Sequence, residues 1–188
     1  MKRVLIYLVV LVFILSGCSV KNQELENIMS FRASLLSGMG CSFQANITAD
    51  YQQELYQFAV DCRCDEQGKL YFSVQEPESI AGISGEISED KGQLTFYNDS
   101  VLAFDTLTDD QLTPVSAPWL LVKSLRGGRV TSCCKEEAFV RVSIEDSYRD
   151  DALHQDIWFD ADHKPVRAEI LWKDRRILTL EVTNFDIL

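Results

Sequence analysis

The spacing of apolar residues changes from a helical to a strand-like period at Gly40. Over 22–36 apolar residues recur every three to four positions and two glutamates fall in the first turn, as in an amphipathic helix. Gly38 and Gly40 end this segment because glycine weakens a helix. From Cys41 onward apolar and polar residues alternate, which predicts strands with one buried face.

About eleven such strands are predicted, joined mostly by short turns that make neighbouring strands antiparallel. Their ranges are 41–50, 56–64, 70–74, 83–88, 94–97, 101–104, 130–135, 138–147, 153–159, 166–173 and 177–185. A helix over 116–125 interrupts the series after the sixth strand. Pro118 lies in its first turn and Gly127 follows its end, which are favourable positions for these residues.

The expected fold is mainly β, with two or more helices. A single antiparallel sheet of about eleven strands has to curl, split or close. With its apolar face turned inward, it is expected to form one curved sheet, a half-open β-barrel, with the helices as a lid over the open side. A closed lipocalin-like barrel and a β-sandwich are the competing folds, and the helix within the strand series weakens both.

The first residues of the chain are typical of an export signal. An apolar run of twelve residues, 4–15, follows Lys2 and Arg3. It is too short to span a bilayer core, which needs about 20 residues, and it fits the centre of a secretory signal peptide. The run ends in the sequence LSGC at 15–18, which resembles the lipobox of bacterial lipoproteins.

This resemblance implies a covalent lipid at Cys18. In bacterial lipoproteins a diacylglyceryl group, with acyl chains such as palmitate, is attached to the cysteine, and the signal is cut just before it. Two acyl chains anchor a protein stably, since each buried methylene contributes about 0.8 kcal/mol. The expected organisation is a signal peptide at 1–17, an acylated tether at 18–21 and a half-barrel domain at 22–188. The expected location is extracytoplasmic, on the outer face of a bacterial membrane.

The charge of the chain argues against nucleic acid as a partner. There are 18 Lys and Arg residues against 29 Asp and Glu residues, a net charge of −11. Removal of the predicted signal takes Lys2 and Arg3 away, and the net charge becomes 16 − 29 = −13. Binding to phosphates needs clustered basic residues. The acyl anchor, rather than a basic patch, is therefore expected to hold the protein at the membrane.

The combined architecture resembles the lipoprotein-localisation superfamily, the LolA/LolB-like proteins. The shared features are an acylated anchor, a leading helix, an eleven-stranded antiparallel sheet and a helix between the sixth and seventh strands. The segment 117–121 lies where that family has a lid-like helix. The resemblance implies an unclosed barrel with an apolar cavity that holds an acyl chain of a lipid or lipoprotein. It also implies a binding protein, acting as a carrier, receptor or sensor, rather than an enzyme.

Large apolar residues at inward positions of the predicted strands and lid helix are the candidate lining of this cavity. They are Phe43, Ile47, Phe58, Phe72, Phe96, Trp119, Leu120, Val142, Ile170 and Trp172. An incompletely filled half-barrel would leave an apolar pocket, which is the usual form of a ligand site. The alternative is a filled barrel without ligand, in a protein that contacts or regulates other components of the cell envelope.

Five cysteines remain if Cys18 carries lipid. Disulfides form outside the cytoplasm, and an odd number leaves at least one thiol unpaired within the chain. The bridge candidates are Cys62, Cys64, Cys133 and Cys134. One or two bridges would join the strand with the first two to the strand with the last two. The alternative is a thiolate site for zinc or copper(I), or a redox site, built from the same residues.

Catalytic signals are weak. The chain has two histidines, His154 and His163, and no nucleophile elbow, phosphate loop or HExxH motif. The acidic pairs at 109–110 and 150–151 lack the spaced oxygen ligands of a calcium loop and are interpreted as solvated turns. We therefore expect no catalytic residue, no resident metal and no cofactor.

Overall fold

The computed structural model describes most of the chain from residue 23 onward. The described residues are 23–89, 91–97, 99–108, 111–147, 153–173 and 175–188, with the backbone alone at 107, 108 and 111. The predicted signal peptide, the tether with Cys18 and the acidic pairs at 109–110 and 150–151 lie outside the described residues.

Two α-helices and thirteen strands form the described structure. Helix α1 spans 23–37 and helix α2 spans Ala117–Gly127, preceded by a 3-10 turn at Pro114–Ser116. The strands are β1 (Gly40–Asp50), β2 (Leu55–Asp65), β3 (Leu70–Glu76), β4 (Ser84–Ser88), β5 (Lys91–Thr95), β6 (Val101–Asp105), β7 (Leu107–Thr108), β8 (Gln111–Leu112), β9 (Arg129–Glu136), β10 (Phe139–Glu145), β11 (His154–Phe159), β12 (Pro165–Trp172) and β13 (Arg175–Ile187). Neither described helix has the length and apolarity needed to cross a membrane.

Eleven of the strands form one open, curved antiparallel sheet, as the alternating pattern predicted. Its order is β6-β5-β4-β3-β2-β1-β13-β12-β11-β10-β9. The chain starts in the middle of the sheet and builds outward to β6. It then crosses through the β7–β8 hairpin and α2 to the opposite edge at β9, and it returns to the middle at β13. Within the described residues β6 and β9 are the two edges, so the sheet is neither a closed barrel nor a sandwich.

Two details differ from the expectation. A small hairpin of β7 and β8, which was not among the predicted strands, lies between β6 and α2, and β5 begins three residues before the predicted start at residue 94. Gly92 falls between the strands predicted at 83–88 and 94–97, but it lies in β5, directly opposite Phe104 on β6. A Cβ atom on Gly92 would come within 2.2 Å of the Phe104 ring. The space that a side chain would occupy is thus filled by the aromatic ring of the neighbouring residue, which permits glycine inside a strand.

The hydrophobic core lies between the concave face of the sheet and the two helices. A continuous buried row crosses five strands, made by Ile47, Leu180, Ala168, Ile157 and Val142, which the strand register places side by side. Helix α2 lies against this face, with eight of its eleven residues buried. The concavity of the half-barrel is therefore largely occupied by the protein's own helix.

Two buried polar side chains hold α2 in this position. Arg32 of α1 donates to the carbonyl oxygens of Leu125 (2.7 Å) and Gly128 (2.6 Å) at the C-terminal end of α2. This end of a helix carries unpaired carbonyl groups and favours a cation. Gln155 of β11 donates to the carbonyl oxygen of Leu120 and to the hydroxyl of Ser124. Burial lowers the pKa of Arg32, but its ordinary value is so high that the side chain stays charged.

Replacement of Arg32 tests this anchor. We expect Arg32→Ala to lower the free energy of unfolding by about 2–4 kcal/mol, because buried carbonyl groups at the end of α2 lose a charged donor. Urea denaturation followed by circular dichroism measures the difference. Arg63→Ala is the matched control, since Arg63 is exposed on β2, and its effect should stay within about 0.5 kcal/mol. Equal effects of both substitutions would contradict the assigned role of Arg32.

A cleft beside the central helix as candidate ligand site

A cleft of about 720 Å³ lies between α2 and two hairpin turns at one end of the sheet. Its volume falls within the range of about 300–1,000 Å³ typical of small-molecule sites. The lining residues are Asp65, Gln67, Gly68 and Lys69 of the β2–β3 turn, Ser88 and Glu89 of the β4–β5 turn, and Trp119, Lys123, Arg126 and Gly127 of α2.

Helix α2 contributes a stripe of three large side chains to this cleft. Trp119, Lys123 and Arg126 are spaced by four and three residues, which places them on one side of a helix. The Nζ atom of Lys123 lies 4.7 Å from the centre of the Trp119 ring, within the range of a cation–π contact. Trp119 itself is buried. The stripe thus offers an aromatic wall that ends in two cations.

The β2–β3 turn forms the opposite wall and is firmly held. One carboxylate oxygen of Asp65 accepts from the backbone N–H groups of Gln67 (3.0 Å) and Lys69 (2.9 Å). Gly68 adopts a φ of +90°, which favours glycine. Arg126 crosses from α2 and donates through Nη2 to the carbonyl oxygen of Glu66 at 2.6 Å. The two walls are therefore joined by a hydrogen bond at one end of the cleft.

The charge of the cleft differs from that of the whole chain. Three of its lining residues are cationic and two are acidic, in a protein with a net charge of −11. Lys69 is paired with Glu86 at 2.8 Å. The Nη1 atom of Arg126 is buried and has no hydrogen-bond partner in the described structure. A buried donor of this kind favours an anionic or strongly polar acceptor.

The predicted cavity residues do not all share one environment. Nine of them are buried in the single hydrophobic core: Phe43, Ile47, Phe58, Phe72, Trp119, Leu120, Val142, Ile170 and Trp172. Only Trp119 among them also lines the cleft. Phe96 is half-buried in the turn that follows β5 and lies outside the core cluster. Whether any of the ten contacts a ligand stays a prediction.

Sequence reasoning missed the polar half of the cleft. Lys69, Lys123 and Arg126 were not singled out, because isolated cations in an acidic chain are usually solvated. The signal that could have found two of them is the helical spacing of Trp119 with Lys123 and Arg126. The contribution of the β2–β3 turn depends on the tertiary position of α2 and has no signal in the local sequence.

The predicted bridges between β2 and β9 are absent from the structure. No disulfide joins any of the described cysteines, which are Cys41, Cys62, Cys64, Cys133 and Cys134. Five strands lie between β2 and β9 in the sheet order, so these two strands are not neighbours. A disulfide requires Cα atoms within about 7 Å of each other. No group of three or more residues suited to hold a metal ion occurs within the described ranges.

The two histidines lie apart from the cleft residues in sequence and contact acidic neighbours. His154 Nε2 is 3.3 Å from Asp156, and His163 Nε2 is 3.6 Å from Glu24.

No family model matches the sequence, and no curated protein matches it. Solved structures to which this chain is similar have TM-scores below 0.5 in the following cases. A putative outer membrane lipoprotein-sorting protein domain from Vibrio parahaemolyticus has a TM-score of 0.45 at 13% identity, covering 89% of this chain and 93% of that one. A LolA superfamily protein from Nitrosomonas europaea has a TM-score of 0.45 at 9% identity, covering 87% and 93%. The Mycobacterium tuberculosis lipoprotein LppX has a TM-score of 0.41 at 11% identity, covering 90% and 96%.

A glycine substitution tests the packing behind the β2–β3 turn. Gly40 has a φ of +129°, and a Cβ atom there would lie 2.0 Å from the carbonyl oxygen of Cys64. We expect Gly40→Ala to destabilise the fold by about 2–4 kcal/mol, measured by thermal unfolding. Gly127→Ala is the control, since no atom lies within 4 Å of its added Cβ, and alanine should be neutral or stabilising by up to about 1 kcal/mol there. A neutral Gly40→Ala would show that the two strands do not approach so closely.

Proposed function

We propose that the protein is a non-enzymatic, membrane-anchored lipoprotein outside the cytoplasm that binds an acyl chain of a lipid or lipoprotein. The bound group enters the cleft between α2 and the β2–β3 turn. The observation that carries this proposal is a 720 Å³ cleft with an aromatic wall at Trp119 and cations at its rim. Such a site suits an amphiphile with an apolar chain and an anionic head.

The driving force for binding is burial of the chain against Trp119. Each methylene removed from water contributes about 0.8 kcal/mol. The anionic head lies against Lys123 and Arg126, where the unpartnered Nη1 atom of Arg126 gains an acceptor. The apolar wall thus provides most of the affinity, and the cations determine the orientation of the ligand.

The hydrogen bonds to α2 determine how the ligand reaches the site. Arg32 and Gln155 hold this helix from two sides through buried contacts. Swinging the whole helix outward would break all of these contacts. We therefore place access at the open cleft, with α2 as a fixed wall, rather than at a moving lid.

Acylation at Cys18 would place the domain beside its source of ligand. The tether is only a few residues long, since α1 begins by residue 23. An anchored protein of this kind acts as a fixed receptor, chaperone or sensor, because it does not diffuse away from the membrane that holds it.

A second candidate function is supported by the packed interior and by the exposed edge strand β6. Helix α2 occupies the concave face, and Val101 and Leu102 on β6 are 60% and 53% exposed. An unpaired apolar edge can accept a further strand from a partner. In this case the protein is an envelope interaction or regulatory protein with a filled barrel and no lipid ligand.

Contact quenching by a brominated fatty acid separates the two functions. The chain has three tryptophans, and bromine quenches only those it touches. We expect quenching in the intact protein and its loss in Trp119→Phe, which keeps an aromatic ring in the wall. Trp158→Phe is the matched control, because Trp158 bonds to Glu136 rather than facing the cleft, and it should quench like the parent. No quenching in any variant would favour the filled barrel.

Reversal of one rim charge tests the role of the cations. We expect Lys123→Glu to weaken binding of the same fatty acid about tenfold, the equivalent of about 1.4 kcal/mol. The measurement is the titration midpoint of the quenching. Lys135→Glu makes the same charge change on β9, where Lys135 is exposed beside Glu24, and it should leave the midpoint unchanged. Equal weakening by both would indicate a non-specific effect of net charge.

The anchor is tested separately with labelled palmitate. In a bacterial host we expect the chain to incorporate label and to fractionate with membranes. Cys18→Ser should lose both properties, because the acyl groups have no thioether to carry them. Cys134→Ser, a second single-thiol removal on the outer side of β9, should retain both. Label in Cys18→Ser would place the lipid elsewhere.

A further inference from the structure

One pair of cysteines faces each other directly across two neighbouring strands. The β1–β2 register places Cys41 opposite Cys64, and both side chains are buried, at 0% and 1% exposure. The other described cysteines have different partners. Cys62 lies opposite Phe43 and Phe72, Cys133 opposite Val142, and Cys134 opposite Arg141. The register therefore selects one pair out of five thiols.

The distance between opposite residues of an antiparallel pair suits a disulfide. Their Cα atoms are about 4.5–5.5 Å apart, and disulfides span about 4.4–6.8 Å between Cα atoms. Gly40 contributes to this approach, since any Cβ atom at that position would collide with the Cys64 carbonyl group. The backbone thus already holds Cys41 and Cys64 at bridging distance.

The two sulfur atoms also differ in their chemistry. The interaction between the two sulfurs raises the pKa of Cys41 and lowers the pKa of Cys64. Burial raises the pKa of Cys62 instead. Among these three residues, Cys64 has the strongest tendency to form the thiolate that reacts in disulfide exchange.

We propose that Cys41 and Cys64 form a cross-strand disulfide when the protein folds in an oxidising compartment, and that the other three described cysteines stay reduced. The oxidant is a disulfide, either of a small thiol such as glutathione or of a thiol oxidoreductase. The Cys64 thiolate attacks one sulfur of that disulfide and releases one thiol. Cys41 then loses its proton and attacks the Cys64 sulfur of the mixed disulfide, releasing the second thiol. Two cysteines are oxidised and one disulfide is reduced to two thiols.

This bridge would close the chain at the base of the β2–β3 turn. Cys64 precedes Asp65, whose carboxylate organises that turn. The exchange takes place while the β1–β2 hairpin is forming, because both sulfurs are buried once α2 and the sheet have packed. Formation of this bridge does not depend on a ligand in the cleft.

Peptide mapping of the unmodified protein tests the bridge. The protein is isolated from an oxidising extracytoplasmic compartment without reductant, denatured, and treated with an alkylating reagent. Trypsin cleaves after Arg63 and a glutamate-specific protease cleaves after Glu54, so that Cys41, Cys62 and Cys64 fall in three separate peptides. We expect a linked pair that contains Cys41 and Cys64, lighter by two hydrogen atoms than the separate peptides, and alkylation of Cys62, Cys133 and Cys134. Complete alkylation of all five, or a link to any other cysteine, overturns the proposal.

Single substitutions add a control that does not depend on mapping. Cys41→Ala and Cys64→Ala should each leave every remaining described cysteine open to alkylation, while Cys133→Ala should retain the linked pair. In the parent protein, reductant should lower the unfolding temperature by about 5–10 °C, and in Cys64→Ala it should change nothing. An equal effect of reductant on both proteins would contradict the assignment, even if Cys64→Ala starts from a lower stability.

Discussion

The pairing of β1 with β13 is the contact on which the rest of the architecture depends. It joins the first and last strands of the sheet in its middle. Each half of the sheet is a simple meander built from short hairpins, and this one non-local pairing makes them a single curved surface. It also forces the chain to travel from one edge of the sheet to the other, and that passage carries α2 across the concave face. The position of the helix, and hence of the cleft, follows from the order of the strands.

Helix α2 remains on that face because its buried polar groups are hydrogen-bonded from two sides. An arginine from α1 satisfies its last carbonyl groups, and a glutamine from β11 reaches Leu120 and Ser124. Buried polar contacts of this kind fix one orientation where apolar packing alone would tolerate several. The helix therefore presents the same three side chains, Trp119, Lys123 and Arg126, to the neighbouring turns.

The strands were predictable because each buries one face, and alternation is visible without any knowledge of the partner strand. The pairing of β1 with β13 was not predictable, since periodicity is the same for any neighbour and no short turn joins these two strands. Arg32 illustrates a second limit. In a helix with polar neighbours an arginine is expected at the surface. Arg32 is nevertheless only 8% exposed, because it hydrogen-bonds to carbonyl groups that are distant in sequence. The cleft shares this limit, as its two walls meet only in the folded chain. The pairing of Cys41 with Cys64 could have been predicted from the sequence, because the short loop between β1 and β2 determines every residue pair along the hairpin.

The central position of the β1–β13 seam has a consequence for how the chain reaches this state. Gln44 and Asn184, which hydrogen-bond across that seam, are 140 residues apart. The β1–β6 meander can assemble early from local contacts, but it then presents β1 as an open edge with an apolar face until the last strand is available. Contacts between distant parts of a chain form slowly, and unpaired edges invite association with other chains. The edge of β1 that pairs with β13 in the native sheet is thus also an aggregation-prone surface during folding, and protection of that edge by other factors at this stage would favour folding over aggregation.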